Sequence, residues 1–259
     1  MSEATDTHSA SIRDEFAHQA DSFARSPTMT LAETLGVLVD LVPEDPEARW
    51  VETACGPGLI ARAIAPRVGS VVGIDLTPAM IEKARADAAE AGAENVSFEV
   101  GDATALDLPD DSLDGAITRF SLHHIPAPIR VLEEMRRVVK PGGYVVVSDF
   151  VTDDDGASAA WQEQIERLRD PSHWALLTPS RIVALGERVG LEPDFERVVP
   201  FEIDFEEWLN RGSGGPANAE LIERLRAEAP PQAESLRVTG EPPIRTLHYR
   251  NSLHRWRVP

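Results

Sequence analysis

With 259 residues the chain can form one large α/β domain with a substantial core, or one domain and a small cap. Its formal charge of −19, from 25 Lys and Arg against 44 Asp and Glu, argues against nucleic-acid binding, because a protein that tracks a phosphate backbone needs a basic surface. Cys55 is the single cysteine, so no intramolecular disulfide forms; with a polar start from Met1 to Ala10 and no apolar run near the roughly 20 residues a bilayer requires, the expected location is cytoplasmic, without signal peptide or membrane span.

In chain order, residues 1 to about 10 read as a disordered polar segment, and Arg13 to Val42 as two helices interrupted near Ser26-Pro27. Trp50 to Ala54 is short and mostly apolar, fit for a buried strand. After Cys55, Gly56 and Gly58 permit positive φ and let a ligand approach the backbone, and Leu59 to Ile64 opens a helix whose N-terminal amides favour an anionic group. Val71 to Ile74 is a second strand ending in Asp75, which follows Glu52 by 23 positions. That is close to the roughly 20-residue offset at which an acid accepts hydrogen bonds from ribose hydroxyls. Thr77 can cap the next helix with Pro78 at its first position, and Gly92 can stop it. A third strand ends at Gly101-Asp102-Ala103, so three strand ends line up along one rim of a parallel sheet, where open α/β folds bind ligands.

Leu113 to Arg119 reads as a fourth strand with Ser121-Leu122-His123-His124-Ile125 directly behind it. Val131 to Val139 is a helix, and Lys140-Pro141-Gly142-Gly143 leads into a fifth strand, Tyr144 to Ser148. The basic cluster Arg136, Arg137 and Lys140 sits at that helix's C-terminus, where the dipole accounts for it. Asp153 to Ala157 is an acidic linker, followed by helices at Ala159 to Leu168 and Pro179 to Val189 and strands near Phe195 to Ile203 and Ile244 to Trp256. Between those strands, Glu206 to Glu228 supplies helices broken by a flexible loop from Arg211 to Pro216.

Taken literally, Gly56-Pro57-Gly58-Leu59-Ile60-Ala61 fits the Gly-x-Gly-x-x-Gly/Ala fingerprint for NAD or FAD. Glu52 opposes that reading, because a carboxylate beside the loop repels a pyrophosphate yet suits a ligand that brings an ammonium or sulfonium group with a carboxylate. S-adenosylmethionine is such a ligand. From about Arg49 to Phe150 these strings resemble the class I S-adenosylmethionine-dependent methyltransferases, in particular the type 11 group related to quinone-biosynthesis methyltransferases. One departure is Ala54, where the family usually has glycine.

The resemblance implies a doubly wound, Rossmann-like α/β fold: a seven-stranded sheet with an antiparallel C-terminal edge hairpin and a helical lid. Residues 1–45 would be the N-terminal helical lid segment, and 46–259 the methyltransferase domain, with a lid segment at 151–180 and a helical insertion at 205–240. It implies methyl transfer to the oxygen, nitrogen or carbon of a small-molecule acceptor, giving S-adenosylhomocysteine, with a homodimer compatible and neither nucleic acid nor membrane as partner. Carried over by position, Asp75 binds the ribose and Glu52 orients the amino group; Gly56 and Gly58, in a turn with Ala54 and Cys55, approach the methionine and sugar. Asp102 and Ala103 recognise the adenine, Leu76 and Met80 pack on the adenosine, and Arg119 lies at the methionine end. Phe16, His18 and Phe23 resemble the family's lid motif, which implies that Phe23 contacts the cofactor, although the two phenylalanines are also at a helical spacing that plain packing explains.

Cys55 lacks a neighbouring base or cation in sequence and is read as a turn residue, not a nucleophile. His123, His124 and His173 are the candidate bases for an acceptor hydroxyl, with Trp174 and Trp161 as candidate pocket walls; no metal site is expected, since the histidines lack a ligand spacing. Two alternatives remain at this level: a protein of the same fold that uses the bound cofactor for a cyclisation or elimination, and a nicotinamide-dependent oxidoreductase, which Glu52 and Pro141-Gly142-Gly143 disfavour.

Overall fold

The computed structural model describes residues 3–26 and 32–259, with side chains at 7–26 and 35–259; the expected break at Pro27 lies outside the described residues. Two N-terminal helices, α1 (Glu3–Arg25) and α2 (Ala32–Val39), precede β1 (Asp45–Thr53). The chain then alternates through α3 (Leu59–Ile64), β2 (Val68–Asp75), α4 (Pro78–Glu90), β3 (Val96–Val100), β4 (Leu113–Arg119), α5 (Pro128–Val138) and β5 (Val139–Phe150). It continues with α6 (Gly156–Arg169), α7 (Pro179–Arg188), β6 (Glu192–Asp204), α8 (Phe205–Arg211), α9 (Gly215–Ala227), β7 (Arg237–Glu241) and β8 (Ile244–Arg257).

The sheet runs β3-β2-β1-β4-β5-β8-β6, with β7 also paired to β8. The first five strands are mutually parallel, while β8 runs antiparallel to β5, β6 and β7. The order reverses between β1 and β4, which leaves a crevice at their carboxyl ends. Side-chain alternation builds a core on each face: Val51, Ala116, Val145 and Val147 pack with α5 and α7, while Trp50, Ile117 and Val146 pack with α3 and α4. A third, more aromatic cluster containing Phe150, Trp161, Phe201, Trp208 and Tyr249 ties α6, α8 and α9 to the antiparallel strands.

The expected doubly wound sheet with its antiparallel C-terminal edge is present as a seven-stranded path, and two other expectations are corrected. Off that path lies an additional strand: β7, Arg-Val-Thr-Gly-Glu, is mostly exposed and lacks the apolar alternation that marks a strand. The 205–240 segment is therefore two helices and a strand, not helical throughout. The polar N-terminus is helical from Glu3 onward, because tertiary bonds override its composition: His8 Nε2 meets the His124 carbonyl at 2.8 Å, and Gln19 donates to Asp170 at 3.1 Å. Three helix starts follow side-chain caps, with Asp155, Thr178 and Asp204 accepting from the third residues of α6, α7 and α8.

Candidate functional site

A cavity of about 450 Å³ opens where β1, β2, β3 and β4 end. Its floor is the turn after β1, where Ala54, Gly56 and Gly58 take φ of 50°, 51° and 70°. The left-handed backbone is costless for glycine and strained for Ala54, so this turn is held by its surroundings. Cys55 N–H donates to the Ile74 carbonyl (3.0 Å), and Gly56 N–H donates to Asp75 Oδ2 (2.8 Å). The other Asp75 oxygen accepts from Thr77 N–H at 2.8 Å, while Thr77 itself makes no side-chain cap bond; Asp75, not Thr77, supplies the side-chain acceptor at this helix entry. Phe120, just beyond β4, is also left-handed (φ 52°) and lines the same cavity, stacked 4.0 Å from Phe150.

Of the predicted cofactor residues, Phe23, Glu52, Ala54, Cys55, Gly56, Asp75, Leu76, Met80, Asp102, Ala103 and Arg119 all line this one cavity. Gly58 does not: a Cβ there would sit 2.4 Å from the Phe98 ring, so its bareness serves the packing of α3 against β3. Glu52 is buried, and its Oε2 accepts the Ala61 N–H at 2.7 Å, so a protein carboxyl already occupies the first turn of α3. Burial pushes the Glu52 carboxyl up to about 8, against the pull of the Ala61 amide and of Arg119, and burial lowers the Arg119 guanidinium to about 10. Burial also raises Asp75, opposed by the Thr77 and Gly56 amides. The buried Cys55 thiol is raised well above its ordinary value by burial and by Glu52 and Asp75, which keeps it protonated and inert. Asp102 Oδ1 accepts from both the amide and the hydroxyl of Thr104, at 2.8 and 2.7 Å, which fixes the carboxylate at the rim.

The lid side is assembled from distant segments. Phe16 and Phe23 of α1 both line the cavity, whereas His18 is exposed. His124 lines it too, with the Phe16 ring edge-on at 4.8 Å and its own Nδ1 3.1 Å from the Ser172 carbonyl. A second, small cavity of about 30 Å³ lies beneath α1 and shares Phe16, Phe23, Phe120 and His124 with the first. His123 lines only this inner chamber, with Nδ1 2.5 Å from Asp149 Oδ1. His173 and Trp174 line neither cavity: His173 pairs with Glu163 at 3.1 Å, and Trp174 is 44% exposed against His8. Trp161 is buried and donates to the Leu225 carbonyl.

The two adjacent histidines diverge electrically. Burial favours neutral His123, but the charge and hydrogen bond of Asp149, with Glu166 and Asp170 behind, outweigh it and raise the imidazole above its ordinary value. His124 is held well below that value by burial and by the proximity of His123. Among the described residues, no group of three or more His, Cys, Asp or Glu side chains could hold a metal ion.

Sequence reasoning missed Asp149, Phe120, Arg169, Arg211 and Tyr249. Asp149 had a usable signal, an acid directly following the apolar run of β5; the others carry none, because their relevance depends on which helices meet beneath α1.

Residues 44–185 match a family of methyltransferase domains. The chain is 30% identical over 205 residues to the uncharacterized methyltransferase YcgJ of Bacillus subtilis, covering 79% of this chain and 81% of that protein. The crystal structure of YcgJ superimposes with a TM-score of 0.79 at 27% identity, over 88% of this chain and 98% of YcgJ. A demethylmenaquinone methyltransferase of Renibacterium salmoninarum is 29% identical over 65% of this chain and 70% of its own length. The cyclase SpnF shares the fold, with a TM-score of 0.63 at 20% identity over 88% of this chain and 81% of SpnF.

Proposed function

On the premise that this chain belongs to the class I S-adenosylmethionine-dependent methyltransferases, related to the quinone-biosynthesis enzymes, we propose that its 450 Å³ cavity holds S-adenosylmethionine and that the acceptor enters beneath α1. The chain is an enzyme that transfers the cofactor's methyl group to a small-molecule acceptor. The observation that carries the site assignment is the convergence of Glu52, the left-handed turn at Ala54 and Gly56, Asp75 and Asp102 on one cavity at the switch point of the sheet.

The residues fit the group. Asp75 keeps lone pairs for a ribose diol after accepting two amides, and a carboxylate accepts about four hydrogen bonds. Asp102, fixed by Thr104, accepts from the adenine amine, and Leu76 and Met80 pack against the nucleoside. Glu52, kept protonated at neutral pH by burial despite the pull of Arg119, ionises against the added charge of an ammonium group, so binding releases a proton. When bound, the cofactor supplies an electrophilic methyl on a sulfonium.

The chain's own contribution is alignment and exclusion of water by α1, with Phe16 and Phe23 between the two cavities. For an acceptor that attacks through a hydroxyl, His123 takes the proton at Nε2, since Asp149 holds Nδ1 and favours the imidazolium. His124, with its depressed basicity, shapes the junction between the cavities, and His173 braces the turn after α6. Among the described residues no helix is long and apolar enough to cross a membrane. We place the protein in the cytoplasm, as a monomer or homodimer that binds no nucleic acid, a reading supported by its net charge of −19 and single cysteine.

Incubation of the pure protein with methyl-labelled cofactor and pools of candidate metabolites tests this directly. Label transferred to an organic product with stoichiometric S-adenosylhomocysteine is the expected result. Bound cofactor with a cyclised or eliminated product and no label transfer would move the protein to the non-methylating alternative.

A further inference from the structure

The inner chamber beneath α1 holds buried guanidinium donors of Arg169 that no hydrogen-bond acceptor meets, and we propose that it anchors a carboxylate carried by the methyl acceptor, gripped by the guanidinium groups of Arg169 and Arg211. The proposal rests on the methyltransferase reading, because it takes the neighbouring cavity for the cofactor site. Arg169 ends α6 and Arg211 ends α8; both are buried and both line the chamber. Arg169 donates from Nη2 to Asp170 at 3.2 Å, but its Nε and Nη1 make no hydrogen bond, although Nε is 3.5 Å from Glu166. A buried donor without an acceptor is costly, on the order of 1–3 kcal/mol and more for a charged group, which makes such atoms pointers to a ligand.

The chamber's own carboxylates meet that demand only in part. Glu166 Oε2 faces Arg169 Nε at ion-pair distance (3.5 Å) without a hydrogen bond, and its Oε1 accepts from the Tyr249 hydroxyl, which leaves Nη1 with no acceptor. Asp170 Oδ1 accepts from the Ser172 amide and hydroxyl at 2.9 and 2.6 Å, and Oδ2 accepts from Gln19 and Arg169. Arg211 donates to Glu207 at 3.0 Å, and its basicity is lowered to about 10, by burial first and by the charge of Arg169 second. A bidentate anion between the two guanidiniums relieves that repulsion and meets the Arg169 donors together.

Size and lining narrow the anion. A volume of about 30 Å³ is on the scale of a water or two, enough for a carboxylate and tight for a tetrahedral phosphate. Phe16, Phe23 and Phe120 wall the passage to the large cavity, and Phe150 and Trp208 complete the aromatic surround. The acceptor class this describes is a small acid with an aromatic or apolar body, anchored by its carboxylate at one end and presenting its reacting atom toward the large cavity, where His124 stands at the junction.

The test uses the whole protein saturated with S-adenosylhomocysteine and three probes, 4-hydroxybenzoate, 4-hydroxybenzamide and 4-hydroxyphenyl phosphate, titrated by calorimetry. The benzoate is expected to bind about tenfold or more tighter than the amide or the phosphate, the scale of a charge-assisted bidentate contact. Arg211→Gln and Arg169→Gln are expected to abolish that preference while leaving amide and S-adenosylhomocysteine affinities within about twofold. If the Gln variants do not fold, Arg211→Lys, which keeps the charge and loses the planar fork, is expected to weaken benzoate several-fold. Equal affinity for benzoate and amide, tighter binding of the phosphate, or binding of none of the three by the saturated wild type overturns the proposal. Failure of S-adenosylhomocysteine itself to bind overturns the methyltransferase reading instead.

Discussion

The rim that closes around the large cavity and the chamber beneath α1 are built in opposite ways. At the rim the decisive bonds are local: Asp102 reaches an amide two residues on, Glu52 one nine residues on, and Asp75 one nineteen residues back. In the chamber they join remote parts of the chain, with 83 residues between Tyr249 and Glu166, 116 between His8 and His124, 151 between Gln19 and Asp170, and 198 between Glu15 and Ser213. The rim is a property of the first four strands and their turns. The chamber is a property of how α1 docks on the C-terminal half, so the acceptor side can change without disturbing the cofactor side.

The largest expected effects lie in the chamber. His123→Gln is expected to lower turnover with a hydroxyl acceptor about a hundredfold or more while cofactor affinity holds, whereas His173→Gln, behind His123 and His124 and lining neither cavity, is expected to change turnover only a few-fold. The pH profile separates the neighbours. If His123 is the base, wild-type turnover rises through a pKa above the ordinary histidine value, because Asp149 favours its protonated form; if His124 is, the rise falls well below that value. A rise only at acidic pH would transfer the role to His124, and a flat profile with an active His123→Gln would leave catalysis to alignment alone.

At the rim, Asp75→Ala is expected to cost about 1.5–3 kcal/mol of S-adenosylhomocysteine affinity, the scale of a charge-assisted hydrogen bond. Unchanged affinity in the folded variant would remove Asp75 from the site. The variant also deletes the acceptor for Gly56 and Thr77, so its thermal unfolding is to be compared with that of Asp75→Asn, which retains one acceptor oxygen.

A smaller effect tests the burial of Glu52. Its carboxyl is raised from 4.5 to about 8, so the folded state holds a proton that the unfolded state has lost, and stability falls as pH rises through that interval. His124 opposes this trend only below its unfolded pKa of about 6.5. Between pH 6.5 and 8 the free protein should therefore lose stability, at most about 1.4 kcal/mol per unit from Glu52, with a further decline from His123 in the same direction. Denaturant titrations of Glu52→Gln across that window are expected to show a shallower slope; an identical slope would mean that Glu52 is already ionised in the free protein.

The same contrast explains what the sequence made legible. Trp50 to Ala54 and Val71 to Asp75 are mostly apolar runs ended by a turn or acidic residue, and Leu113 to Arg119 is a third run ended by a buried arginine; the strands form there because burial leaves little alternative. Eleven of the twelve proposed cofactor residues meet at one cavity, ten of them through the first four strands and the turns and helix that follow them and Phe23 through the docking of α1, and Gly58 departs because a glycine kept bare by the Phe98 ring has the same sequence signature as one kept bare for a ligand. The chamber was legible only in fragments. His123 and His124 stand out in sequence, but nothing local tells that one imidazole meets Asp149 and the other is flanked by Ser172. Arg169 follows an expected helix and Arg211 opens an expected loop, so neither stands out in sequence; the structure makes them the last residues of α6 and α8 and buries them. The helical N-terminus and β7 were missed for the same cause, since both polar segments take their structure from partners far along the chain.

The most direct test of the central claim is a calorimetric titration of the purified protein with S-adenosylhomocysteine and, separately, with NAD, at pH 7 in two buffers of different ionisation enthalpy. One-site binding of S-adenosylhomocysteine with proton release from Glu52, and no binding of NAD, is the expected result. Binding of NAD without binding of S-adenosylhomocysteine would contradict the claim.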